Sequence, residues 1–161
     1  MPRRVLRRAA HVPALALATC LLPAPSAAAV GVPQKIEFAK TAPVPPRVRE
    51  QCNLQTLIPG AIADHSSDAK LVEGAGDLAL EITAVHAPGG WIFSGPKWIE
   101  VQGTLRRDGK SLGFRAKRYS AFDPFSGGTC GILAKIARAL GSDIAVWLAN
   151  PSDGVELGDA Q

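Results

Sequence analysis

The sequence predicts an α+β fold, a two-layer sandwich in which an antiparallel sheet of about four strands carries two helices on one face, in the order β-α-β-β-β-α. Three observations predict it. Residues 78–119 alternate apolar and polar side chains with period two, in three runs separated by glycine-containing turns. Residues 130–149 repeat apolar side chains with a period near 3.6. A shorter helical stretch opens at Pro46, where a missing N–H costs nothing.

Residues 30–46 form a Pro-rich lead-in with Pro33, Pro43, Pro45 and Pro46 around one run, Gln34 to Lys40. Ile36 and Phe38 alternate with polar residues there, which predicts one strand at a sheet edge. A helix follows from about Arg47 to Leu57, interrupted by Pro59-Gly60, with a further helical turn through Ile62. Residues 64–77 read as loop, with Leu71-Val72 as a short strand inside it.

The central strands are clearer. Leu78, Leu80, Ile82 and Ala84 fall on one face of the first, and His86 continues that face. Pro88-Gly89-Gly90 turns the chain toward an apolar tip, Trp91, Ile92 and Phe93. The second strand points Ile99, Val101 and Leu105 inward and Trp98, Glu100, Gln102 and Thr104 outward. Asp108-Gly109 is a strong hairpin signal, because both residue types accept positive φ. The third strand points Leu112, Phe114 and Ala116 inward, with Arg115, Lys117 and Tyr119 outward.

After Ser126-Gly127-Gly128, Thr129 is a good N-cap for a helix from about Cys130 to Ala149. Ile132, Ile136, Leu140, Ile144 and Leu148 form its core-facing stripe, widened by Leu133, Ala137 and Trp147. Gly141 weakens it locally, and Asn150-Pro151 stops it. Residues 151–161 read as a flexible acidic tail. The domain proper is therefore expected at residues 47–150.

Residues 1–29 read as a secretory signal peptide. Arg3, Arg4, Arg7 and Arg8 precede an apolar stretch from Val12 to about Leu22 and a small-residue end at Ala27 to Ala29. About 11 apolar residues are too few for a bilayer span, which needs ~20. Cleavage is expected after Ala28 or Ala29. A competing reading takes Leu17-Ala18-Thr19-Cys20 as a lipobox with Cys20 lipidated, although Thr19 occupies a position where Gly, Ala or Ser is usual. Arg3-Arg4 also looks like a twin-arginine export signal. The expected location is periplasmic or secreted, or the outer membrane if Cys20 carries a lipid anchor. No transmembrane segment is expected in the mature chain.

The chain has 18 Lys and Arg against 14 Asp and Glu; loss of the four leader arginines leaves 14 against 14. A working domain of near-zero net charge lacks the basic surface that nucleic-acid binding needs. The remaining 132 or so residues contain two cysteines, Cys52 and Cys130, and an even count in an exported chain favours a disulfide between them. The alternative is a pair of free or metal-binding thiols, which the spacing does not support.

Three features together resemble a group of small bacterial envelope proteins, many of them lipoproteins or periplasmic proteins. They are Cys52 in the first helix, the meander of strand, glycine-rich turn, strand, Asp-Gly turn and strand, and the ending Cys130-Gly131-Ile132-Leu133 through Ala139-Leu140-Gly141-Ser142-Asp143-Ile144-Ala145-Val146-Trp147-Leu148. Their β-α-β-β-β-α arrangement is similar to the N-terminal domain of the Tol-system β-propeller protein and to auxiliary lipoproteins of envelope transporters. The resemblance covers about residues 34–150. Many members of the group are of unknown function; the shared motifs are structural, and the resemblance carries over no catalytic residue.

Candidate chemistry is sparse. Asp64, His65, Ser66 and Ser67 supply the residue types of a hydrolase triad, but such a triad is assembled from separate segments. His65 and His86 have no ligand spacing for a metal. No cofactor is expected, and Ser126-Gly127-Gly128-Thr129 reads as a bend before a helix. Two surface features stand out: the basic hairpin of Arg106, Arg107, Lys110, Arg115, Lys117 and Arg118 around Asp108, and the aromatic group Trp91, Ile92, Phe93 and Trp98. The first suits anionic lipid, lipopolysaccharide or an acidic partner, or is a solvated face. The second is a contact tip or a cap on the core. The expected function is a non-enzymatic accessory or binding domain that uses these surfaces on an envelope protein or lipid. The alternatives are an inhibitor-like or stabilising envelope protein and, third, a hydrolase or metal enzyme.

Overall fold

The computed structural model describes residues 28–88, 95–120 and 127–160. Along the chain these form β1 (Val30–Pro33), β2 (Glu37–Phe38), α1 (Pro46–Gln51), α2 (Leu54–His65), β3 (Ala69–Val72), β4 (Leu78–His86), β5 (Lys97–Arg107), β6 (Lys110–Ser120), α3 (Thr129–Ala149) and β7 (Val155–Gly158). The α+β class holds. The expected single antiparallel sheet and pair of helices are replaced by a mixed five-stranded sheet, a second two-stranded sheet and three helices.

The main sheet has the order β2-β4-β5-β6-β7. Its centre is the antiparallel meander β4-β5-β6. At each edge a short strand pairs in parallel with its neighbour, β2 with β4 and β7 with β6. Parallel neighbours need a crossover rather than a hairpin. One crossover runs through α1, α2 and β3; the other is α3. The small sheet is the parallel pair β1-β3.

The hairpin turn is read correctly from Asp108-Gly109. Asp108 has φ 53° and Gly109 φ 72°, the left-handed pair that a two-residue turn requires. It fixes the register opposite, so that Leu105 pairs with Leu112 and Trp98 with Tyr119. Ile99, Val101, Leu105, Phe114 and Ala116 then line one face with Leu78 and Ile82, all buried. Leu133, Ile136, Leu140, Ile144 and Leu148 of α3 close over them. Phe114 tilts against Trp147 at a centroid distance of 4.6 Å. α2 adds Leu54, Ile58 and Ile62 to the same core.

Four local expectations are corrected. The first helix is two helices, because Asn53 takes a left-handed conformation (φ 48°) between them, which its short polar side chain tolerates. Pro59 then lies inside α2 instead of interrupting it. A helical proline frees the carbonyl four residues back, and here that carbonyl, Gln55 O, accepts the Ile36 N–H at 3.0 Å. The lead-in therefore supplies the donor that Pro59 lacks. Thr129 is the first residue of α3 and not its cap; Gly128 holds the cap position and no side chain caps it. The C-terminal segment, expected to be flexible, contains β7, with Val155 opposite Phe114 and Leu157 opposite Ala116.

Gly141 has a packing role. A Cβ there would meet Ala61 Cβ, with the Ala61 carbonyl carbon at 2.8 Å and the Ile62 nitrogen at 2.9 Å. It is where α3 and α2 touch backbone to backbone. The cost to helix propensity is about 1 kcal/mol relative to alanine, and the close crossing uses the space gained.

Candidate functional site: the open sheet face and its aromatic end

Among the described residues, the three helices and the small sheet leave the second face of the main sheet uncovered. Ala79, Glu81, Gln102, Arg106, Arg115 and Tyr119 on that face are exposed. Alternation in β5 and β6 sends Trp98, Glu100, Arg115, Lys117 and Tyr119 there. Trp98 is the centre of a cluster at the end remote from Asp108-Gly109. The His86 ring stacks with it at 5.6 Å and an interplanar angle of 14°. The Lys117 ammonium lies 4.6 Å from its ring centroid, a favourable placement for a cation over an indole. Tyr119, its cross-strand partner, is 59% exposed, so one large aromatic ring of the cluster is largely free.

His86 reaches this cluster against expectation. The register of β4 shifts between Ile82 and Ala84. An extra residue in a strand reverses which side chains point inward beyond it. Val85 and Ala87 are therefore buried and His86 is exposed beside Trp98.

The basic hairpin is compensated in part. Arg115 Nε lies 3.6 Å from Glu100 and its Nη1 3.9 Å from Glu156. Arg107 lies 3.9 Å from Asp108. Arg118, expected on the outer surface, shares the inward alternation of Phe114 and Ala116. It donates to both carboxylate oxygens of Asp143 in α3, at 2.7 and 2.8 Å, and to Asp159 at 3.2 Å. Its hydrogen bonds to Asp143 hold the guanidinium proton more firmly than usual, against a smaller opposing effect of burial. Asp159 also accepts the Tyr119 N–H at 3.1 Å. Arg118 is thus a clasp joining β6, α3 and the end of β7. Arg106 and Lys110 remain exposed at the hairpin end.

Trp91, Ile92 and Phe93 lie outside the described residues, as do Cys20 and the rest of residues 1–27. The Cys52–Cys130 disulfide is formed, with a Cα–Cα distance of 4.9 Å, inside the usual range. It joins the end of α1 to the first turn of α3. A groove of about 690 Å³ runs beside it, walled by Pro45, Val48, Cys52, Ala87 and Cys130.

The hydrolase residues are not assembled. Asp64 and His65 end α2, and His65 Nδ1–H donates to the Ala61 carbonyl at 2.8 Å. Ser66 Oγ accepts the Asp68 N–H at 3.2 Å, a local turn contact. Among the described residues no three His, Cys, Asp or Glu side chains are grouped to hold a metal ion. Nor is any helix among them long and apolar enough to cross a membrane.

Tyr119 and His86 are the members of the cluster that sequence reasoning missed. Tyr119 was legible: the Asp108-Gly109 turn sets every cross-strand partner, including Trp98 with Tyr119. His86 was not, because nothing in the run Ile82-Thr83-Ala84 announces the shift. No protein-family model and no curated protein matches the chain.

Proposed function

We propose that this protein is an exported, non-enzymatic accessory domain of the cell envelope that binds a protein partner through the aromatic end of its open sheet face. The observation that carries this reading is Trp98, framed by His86 and Lys117, with Tyr119 59% exposed beside it. Aromatic side chains with a polar tip are enriched at the centres of protein contacts, because they bury much area at little entropic cost. The neighbouring Glu100, Gln102 and Arg115 would form a polar rim. Pairing of Arg115 with Glu100 and Glu156, and of Arg118 with Asp143 and Asp159, lowers the positive charge that the hairpin offers an anionic lipid surface.

Site-specific photo-crosslinking in the native envelope tests this. A crosslinker at position 119 is expected to give one discrete protein adduct that Trp98→Ala abolishes. A crosslinker at exposed Arg138 on α3 should not give that adduct. Equal labelling from both positions, or transfer to lipid only, would overturn the proposal.

A further inference from the structure

Val30 is where the chain enters the fold. Its side chain is 3% exposed, whereas Ala28 is exposed and Ala29 half-buried. The Val30 nitrogen donates to the Asp68 carbonyl oxygen at 2.6 Å, and the next nitrogen, of Gly31, donates to Asp77 Oδ2 at 2.7 Å. Successive backbone nitrogens lie about one residue step apart, so the Asp77 carboxylate is within roughly 6 Å of the Val30 nitrogen. Little free space surrounds this entry point: a Cβ on Gly31 would stand 3.2 Å from Asp77 Oδ2 and 3.4 Å from Val72. Two acceptors, one of them charged, thus take the successive Val30 and Gly31 N–H groups just after the small-residue run Ala27 to Ala29.

We infer that cleavage falls between Ala29 and Val30, and that the α-ammonium group it creates is held by the Asp68 carbonyl and stabilised through space by the nearby Asp77 carboxylate. Both sites the sequence allows leave the Val30 donor in place; this one alone adds a positive charge one residue from the carboxylate that Gly31 N–H engages. The reaction is peptide hydrolysis: water adds across the Ala29–Val30 bond, leaving a carboxylate on the leader and an ammonium group on Val30. Capture of a new chain terminus by fixed acceptors is a known recognition mode, and here the acceptors belong to the same chain. Because Val30 is buried, cleavage must precede docking of β1. The inference rests on the export reading, since it needs a signal peptidase.

The first measurement is the intact mass of the chain expressed with its leader in an exporting bacterium. A product beginning at Val30 is expected. A product beginning at Ala29, at a lipidated Cys20 or at any other internal residue would overturn the inference and leave export standing. A product retaining residues 1–29 would overturn both. The second measurement compares thermal midpoints of chains beginning at Val30 and at Ala28, each with Asp77 or Asp77→Asn. The Val30 chain should melt about 2–4 °C higher, and Asp77→Asn should remove that advantage. Equal midpoints, or an advantage that survives Asp77→Asn, would refute the ammonium site. Acetylation of the Val30 amine, which removes its charge, must lose the same increment, so the test stands even if Asp77→Asn does not fold.

Discussion

Removing the Cys52–Cys130 bridge should be the most damaging two-atom change in this fold. The bridge spans 78 residues. In the chain-entropy account a loop of that size restricts the unfolded state by about 4.5 kcal/mol. A domain of this size is stable by only ~5–15 kcal/mol, so the loss is about 30% or more of the whole. With an unfolding entropy near 2.1 cal/mol/K per residue, about 130 residues translate that loss into a fall of about 15 °C in the melting temperature. The structure also says where the damage begins. Among the described residues α1 is tied down by buried Val48, by Arg49 over the Phe38 ring at 4.4 Å, and by Cys52. A Cys52→Ala, Cys130→Ala chain should therefore lose amide protection first in α1, then unfold globally at the lower temperature. Calorimetry on the oxidised protein and on the double variant measures the shift, and hydrogen exchange locates it. A fall of less than about 4 °C, near 1 kcal/mol, with α1 still protected, would refute the reasoning; it would mean that the native packing of α1 needs no tether.

Two further outcomes follow from the packing. Gly141→Ala should destabilise the fold by about 1–2 kcal/mol in urea denaturation. The helix-propensity gain of about 1 kcal/mol is outweighed by a clash with the Ala61–Ile62 backbone that no side-chain motion relieves. Arg118→Met should cost about 1–2 kcal/mol, between the values for exposed and buried pairs, because Asp143 and Asp159 are left without their cation. Hydrogen exchange should show the loss concentrated in β7, whose last residue precedes Asp159.

The antiparallel centre and α3 were legible because each carries its instructions locally. Alternation sets the faces of β5 and β6, Asp108-Gly109 sets their register, and the stripe from Ile132 to Leu148 sets the buried side of α3. The edges were legible only in part, for a physical reason. The strand within Gln34–Lys40 and the one at Leu71-Val72 were readable from the sequence; Val30–Pro33, Val155–Gly158 and the parallel pairing of all four, each two to four residues long, were not. Such strands have no hairpin turn to announce them and exist only once a crossover has brought their partner alongside. Pro59 misled for a related reason: its helix is completed by a donor, the Ile36 N–H, that lies far away in sequence. Arg118 was grouped with the outer cations by proximity in sequence, although its alternation with Phe114 and Ala116 already placed it on the helix side. In the site, the outward position of Trp98 was readable, and the reversal that brings His86 to it was not.

The treatment of the sheet edges bears on how a partner could bind. An exposed edge invites strand addition, and proteins commonly blunt it. Along the outer side of β4, the Ala39 N–H donates to Ile82 O at 2.9 Å and the Val85 N–H to Pro43 O at 3.2 Å, and the lead-in then turns away through Pro45 and Pro46. Along the outer side of β6, Gly113 N–H is taken by Asp153 at 2.7 Å and Tyr119 N–H by Asp159 at 3.1 Å, at the two ends of the β7 pairing. The Gly154 and Asp159 N–H groups satisfy Gly113 O and Lys117 O at 2.8 and 2.7 Å. The long strands thus have their backbone groups engaged by short segments that end in proline or aspartate and offer little edge of their own. Backbone pairing is a poor route to a partner here, whereas the open face offers side chains of mixed polarity around Trp98 and Tyr119. Recognition on such a face is carried by side-chain identity, so single substitutions at Trp98 or Tyr119 should change partner binding while leaving the sheet intact.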